Sequence, residues 1–283
     1  KEIYAYWQGR TLADQWRTLV PGEFLAVENI VQSGGYAENC HYPGHFCLDY
    51  RRLVEQGLEA SIADLDRRIA RLDPSSADDM EQLHFYQAAR LVQQAVIRFA
   101  GRYADLAERL ADTAAPERRA ELLEIARICR RVPAKPARSF REGIQGCWLM
   151  SIAAMIECCG AGVSLGRCDQ YLYPLYRHYL ETGRLNQAQV RELMSMLLIK
   201  MNDVTMLQAG FLQVGFSGYP VMQGLTVGGG TPEGEDAVNE LSYLILDAEE
   251  EVGLTAEELV IRISAQNPDR YVERACEVAR NLS

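Results

Sequence analysis

From residue 76 the chain alternates polar and apolar positions with a helical period. Ser76 stands as a candidate N-cap with Asp79 three residues on, and Met80, Leu83, Leu91, Ala95, Phe99, Leu106 and Leu110 recur at roughly helical spacing. One long amphipathic helix is predicted, with those residues as its buried stripe. A second helix, "PERRAELLEIARICRRV", must stop at Val132-Pro133, because proline disfavours helix in the residue before it and supplies no N–H. After a Pro-Ala linker, Ser139 and Glu142 have the spacing at which both side chains cap free backbone N–H groups. The helix that follows is apolar on nearly every side, so it should lie at the centre, packed by other helices. Further helices are predicted at 187–201 behind Asn186, at 235–252, and at 268–281 behind Asn267-Pro268. Short strands are predicted at 212–216, 224–229 and 259–264, and their separation by a helix implies parallel pairing. No repeat, low-complexity tract or linker divides the chain, so residues 1–283 read as a single, mainly α segment with a few short parallel strands.

Charge narrows the partners. Thirty-nine acidic against 29 basic side chains give a net charge of −10, and the basic residues are scattered along helices. Nucleic acid is not an expected partner, since phosphate binding needs concentrated positive charge. The most membrane-like stretch, 147–163, is short and contains Glu157, which fits a buried helix and not a membrane span. The opening "KEIYAYWQGR" has no initiator Met, signal peptide or transit-like segment, so a processed piece of a longer, cytoplasmic protein is expected.

Eight cysteines without regular spacing, in a chain too large to need disulfide staples, read as reduced thiols. Cys40, His41, His45 and Cys47 form the one Cys/His cluster, but no second ligand pair follows at zinc-site spacing, and no metal is expected. "VGGGTPEGE" lacks the Lys-Ser/Thr ending of a phosphate loop and places Glu233 and Glu235 where phosphate would sit, so it reads as a turn between strand and helix. Cys158-Cys159 falls in the last turn of the apolar helix, where burial and the helix dipole raise a thiol's pKa. Arg167 and Asp169, either side of Cys168, read as a charge pair that organises the turn into "QYLYPLY".

Several segments, in order, resemble the glycyl radical enzymes, the pyruvate formate-lyase-like superfamily: "YWQGRT" (6–11), "GHFCLDYRRLVEQGL" (44–58), "SLGRCDQYLYPLY" (164–176), "FSGYPVMQGLTVGG" (216–229) and "AVNELSYLILDA" (237–248) among them. The flavour is that of the branch holding glycerol and diol dehydratases, hydroxyproline dehydratase and choline trimethylamine-lyase. The resemblance implies the N-terminal and middle part of an α/β barrel whose two central loops carry a thiyl-forming cysteine, in Gly-Cys-x-Glu, and a radical-storing glycine, in Arg-Val-x-Gly-Tyr. Neither motif occurs here, so no catalytic residue of the radical pair is expected in the chain, and the chain by itself is expected to be inactive.

The same resemblance implies a small-molecule substrate, a glycyl radical installed in the longer parent by an S-adenosylmethionine activating enzyme, no other bound cofactor, and a homodimer. It places His45 in the family's Gly-His-x-x-x-Asp-Tyr segment, facing a substrate hydroxyl or carboxylate. Met222, after Gly-Tyr-Pro, becomes a pocket wall, with Tyr219, Arg167 and Asp169 as framework. Dehydratases similar to the glycerol enzyme carry a His-Ser pair where this chain has Ala161-Gly162; the exchange removes a proton donor and a hydroxyl and implies a larger pocket, unsuited to glycerol. The rival reading is a non-catalytic helical protein derived from that scaffold, acting in binding or assembly.

Overall fold

The computed structural model describes residues 44–157, 162–183, 186–204, 223–254 and 257–282, with a few isolated positions before residue 23. Helices dominate: α1 (Tyr50–Ile69), α2 (Ala77–Ala111), α3 (Pro116–Arg131), α4 (Phe140–Glu157), the single turn α5 (Cys168–Tyr171), α6 (Tyr173–Glu181), α7 (Gln187–Asn202), α8 (Glu240–Val252) and α9 (Asp269–Leu282). Among them run four short strands, β1 (Phe46–Cys47), β2 (Val163–Ser164), β3 (Gln223–Gly228) and β4 (Glu257–Arg262). β1 pairs with β2 and β3 with β4, both in parallel, and a parallel bridge from Gly166 to Leu225 joins the two pairs. The expected parallel pairing is therefore present, and the chain is mainly α as expected. The strand expected at 212–216 lies outside the described residues.

Ser76 caps α2 as predicted, its hydroxyl accepting the N–H of Asp79. The buried face of α2 is a different one from that predicted. Leu91, Leu106 and Leu110 are exposed, and the buried positions are Val96, Ala100, Ala104, Ala107 and Ala111. These alanines also recur at helical spacing, and they pack on Leu122, Ala126 and Cys129 of α3. Small side chains let the two helices come close, and the larger leucines are left on the outer flanks of the seam.

α4 is central, as its apolar circumference implies. Gly143 and Gly146 give it close contacts, since a Cβ at Gly143 would stand 2.9 Å from both Leu172 and Leu175. Glu142, only 2% exposed, accepts the N–H of Arg138 and pairs with Arg127 and Arg131, while Ser139 accepts the N–H of Glu142. The C-terminal turn of α4 is open, with Ile156 exposed.

Two boundaries differ from expectation. α8 begins at Glu240 and not at 235, because Asn239 provides the cap, accepting the N–H groups of Leu241 and Ser242. α1 is interrupted at Gly57, whose φ of +74° is left-handed. There the linker inserts: Leu58 and Glu59 donate their N–H groups to the carbonyls of Pro133 and Ala134, and Ala137 donates to Val54. A Cβ at Gly57 would come within 2.5 Å of the Ala134 carbonyl oxygen, so only glycine fits. Among the described residues, no helix is long and apolar enough to cross a membrane.

Candidate functional site

Side chains alternate across a strand, and here the alternation separates two kinds of residue. Phe46, Leu48, Val163, Leu165, Leu225, Val227, Leu259 and Ile261 point toward the helices and pack in the hydrophobic core. The opposite face carries His45, Cys47, Ser164, Thr226, Val260 and Arg262, together with Gly162, Gly166 and Gly224. Glycine here makes room: a Cβ on Gly166 would lie 2.6 Å from the Cys47 sulfur. The Oγ of Ser164 accepts the Gly224 N–H at 3.2 Å, which ties β2 to β3. The result is a four-strand parallel face with large apolar side chains behind and mostly small or polar ones in front. It offers an imidazole, two hydroxyls, a thiol and a guanidinium to whatever lies against it.

At the leading end of this face, His45 and Gly162 meet. The Phe46 N–H donates to the Gly162 carbonyl at 3.2 Å, and β1 and β2 run in register from there. His45 is exposed, and its backbone is left-handed with φ +56°. Gly162 is buried with φ +63°. The space freed by its missing side chain is occupied by His45, whose Nδ1 would be 2.7 Å from a Cβ built there. The glycine thus accommodates the histidine.

At the trailing end, Arg167 and Asp169 do not pair with each other, which corrects the expected charge pair. Both instead grip the backbone that leaves β3. Arg167 donates to the carbonyls of Gly228 (2.6 Å) and Gly230 (3.0 Å). Asp169, fully buried, accepts the Gly228 N–H at 2.8 Å and the Ser242 hydroxyl at 2.7 Å through Oδ2. The left-handed Gly228 and Gly229 turn the backbone out of the ladder, and its groups find side-chain partners: the Asp169 carboxylate accepts an N–H and the Arg167 guanidinium donates to carbonyls. Asn239 adds a bond from its side-chain amide to the Asp169 carbonyl, and Asn267 bonds the Gly229 carbonyl and Asp236. Burial pushes the Asp169 carboxyl above the usual carboxylate range, and its Oδ1 has no partner. The "VGGGTPEGE" stretch is thus the strand-to-helix turn expected of it.

Four of the described thiols are held above the usual thiol range. Burial raises Cys47, with Asp49 adding to the effect, and it pushes Cys129 to about 11 and Cys147 to about 12. Cys168 is also raised, by burial first and by Asp169 second. A thiol in this state holds its proton at neutral pH and is a poor nucleophile. No group of metal-ligating side chains occurs among the described residues, and Cys40 and His41 lie outside them.

The family model described as pyruvate formate lyase-like matches residues 1–283. The chain belongs to this family. Isethionate sulfite-lyase from Desulfovibrio desulfuricans is 32% identical over 96% of this pyruvate formate lyase-like chain, which covers 34% of that enzyme. Trans-4-hydroxy-L-proline dehydratase from Clostridioides difficile is 29% identical over 99% of the chain and 36% of the enzyme. Among solved structures, a glycyl radical enzyme from Archaeoglobus fulgidus superimposes with a TM-score of 0.86 at 34% identity, over 99% of this chain and 36% of that one. The glycerol-bound, B12-independent glycerol dehydratase from Clostridium butyricum gives 0.87 at 30%, over 99% and 35%. The chain spans about a third of the length of the relatives it matches. These matches bear out the glycyl radical resemblance and the fold it implied.

Of the residues singled out in the sequence, His45 and Gly162 are brought together, and Arg167 and Asp169 lie at the other end of β2. Ala161, Tyr219 and Met222 lie outside the described residues, as do Cys158 and Cys159. Sequence reasoning missed Cys47, Ser164 and Thr226 as members of the small-residue face. The signal was present in the alternation His45-Phe46-Cys47-Leu48 and Gly162-Val163-Ser164-Leu165-Gly166, small or polar against large and apolar.

Proposed function

We propose that the chain is part of a glycyl radical lyase or dehydratase that performs radical dehydration, elimination or C–C cleavage on a small polar metabolite in the cytoplasm. The observation that carries the reading is the glycine-lined face with His45 at its edge, within a chain that matches the family over its whole length. Gly162 and Gly166 let β1 lie close against β2, with the His45 ring and the Cys47 sulfur standing where their side chains would be. The radical, when installed in the longer protein by its activating enzyme, supplies the hydrogen abstraction that begins the reaction. His45 binds and orients a substrate hydroxyl or carboxylate, with the walls beside it completed by Ala161 and Met222. Arg167, Asp169 and Tyr219 hold the frame. The thiyl cysteine and the radical glycine lie outside these 283 residues, so the chain alone turns nothing over, and the working protein is a homodimer.

The test is the parent reading frame, expressed without oxygen together with its S-adenosylmethionine activating enzyme. A glycyl radical signal in electron paramagnetic resonance is expected, along with Gly-Cys-x-Glu and Arg-Val-x-Gly-Tyr downstream of Ser283. A frame lacking both motifs and giving no radical overturns the reading in favour of a binding or assembly protein. Turnover by the 283-residue chain alone overturns the statement that it is inactive.

A further inference from the structure

Three side-chain atoms around Gly228, the last residue of β3, are buried without a hydrogen-bond partner among the described residues: Asp169 Oδ1, Arg167 Nε and the Tyr271 hydroxyl. Asp169 and Tyr271 are fully buried. The three side chains already meet at this one residue. Asp169 accepts the Gly228 N–H through Oδ2 at 2.8 Å, and a terminal nitrogen of Arg167 donates to the Gly228 carbonyl at 2.6 Å. The Tyr271 hydroxyl, reaching in from α9, stands where a Gly228 side chain would be, and Asp169 and Arg167 both act on it electrostatically. Enclosed polar atoms keep their hydrogen bonds in native proteins, so these three require a partner beyond the described side chains.

Their needs are complementary. The Tyr271 hydroxyl and the Arg167 Nε–H are donors, and Asp169 Oδ1 is an acceptor. A cation is refused by the Nε–H aimed at it, and an anion by the carboxylate oxygen. What fits is a small neutral molecule that accepts two hydrogen bonds and donates one, and a buried water with three polar partners does this. We propose that one water molecule is bound between Asp169, Arg167 and Tyr271 as a fixed part of the fold. It accepts from the Tyr271 hydroxyl and the Arg167 Nε–H and donates to Asp169 Oδ1. Through it α9 is tied to the end of β3 and to α5, beside the direct bond from Asn267 to the Gly229 carbonyl. Its exchange with solvent requires α9 to lift from the turn, so it is slow. The site is independent of the function proposed above.

The experiment uses the 283-residue chain. Its crystal structure is expected to show one ordered water within hydrogen-bond distance of Asp169 Oδ1, Arg167 Nε and the Tyr271 hydroxyl together. In solution, oxygen-17 relaxation dispersion counts the water oxygens held for longer than the protein takes to tumble, and it is blind to proton exchange with the phenol. Tyr271→Phe is expected to lower that count by one. Tyr50→Phe, which removes a buried hydroxyl already bonded to Ser151, is expected to leave it unchanged. A direct hydrogen bond from Tyr271 to Asp169 Oδ1 overturns the proposal, as does a metal ion or another side chain of the protein in the water's place. An undiminished count in a folded Tyr271→Phe chain also overturns it. Should that variant fail to fold, the crystal structure of the unsubstituted chain decides alone.

Discussion

The two ends of β2 treat polar groups in opposite ways. At the trailing end, Arg167 and Asp169 are each committed to backbone atoms of the β3 turn, and Asn239 and Asn267 add further bonds, with Asp169 Oδ1 left unpartnered. At the leading end, an exposed histidine rests against a glycine, and no side-chain hydrogen bond secures it among the described residues. Burial explains the contrast. A buried polar group must be partnered or it costs stability, so the trailing end is densely hydrogen-bonded. An exposed ring is free of that demand, and chemistry can be displayed there because the frame is held elsewhere.

Substitutions can break this comparison. The largest effect is expected for Gly228→Ala: the added carbon would run into the buried Tyr271 ring at a left-handed position, so strain and overpacking combine to about 4 kcal/mol. Urea unfolding of the chain measures it, and a loss below ~1 kcal/mol would show that the trailing end is not tightly held. Asp169→Ala leaves the Gly228 N–H and the Ser242 hydroxyl without acceptors and should cost about 3 kcal/mol by the same measurement.

Asp169→Asn sharpens the point through pH. Because burial raises the folded-state pKa of Asp169, the folded chain holds that proton more tightly than the unfolded one. The residue's contribution is therefore greatest below its unfolded pKa of about 3.9 and declines as pH rises through the raised folded value. Unfolding curves across that interval should show the decline in the parent chain, and the Asn variant should lack it. The smallest effect belongs to the leading end. His45→Ala should change stability by less than about 0.5 kcal/mol, and His45→Gly should raise it by up to about 1 kcal/mol by relieving the left-handed backbone. A large loss in either would mean that His45 is structural, and the two ends would no longer differ in kind.

Legibility in the sequence followed the length of the pattern. The long helix α2 and its Ser76 cap were readable because a period sustained over many residues outweighs single exceptions. Its buried face was not, because hydrophobic size was followed where close approach decides, and Ala100, Ala104, Ala107 and Ala111 won over Leu91, Leu106 and Leu110. β1 and β2, two residues each, are too short to carry a period, yet they bring His45 to Gly162. The importance of Arg167 and Asp169 was visible in their composition, but their partners lie about 60 residues further along the chain, and no local pattern reaches that far.

The break at Gly57 gives two amides of α1 an unusual ownership. Leu58 and Glu59 sit in the middle of a helical run, yet their protons are held by carbonyls of Pro133 and Ala134. In deuterated water these two amides should exchange on the clock of the linker's departure and not on that of helix fraying, so α1 carries a built-in reporter of whether a segment some 75 residues away is docked.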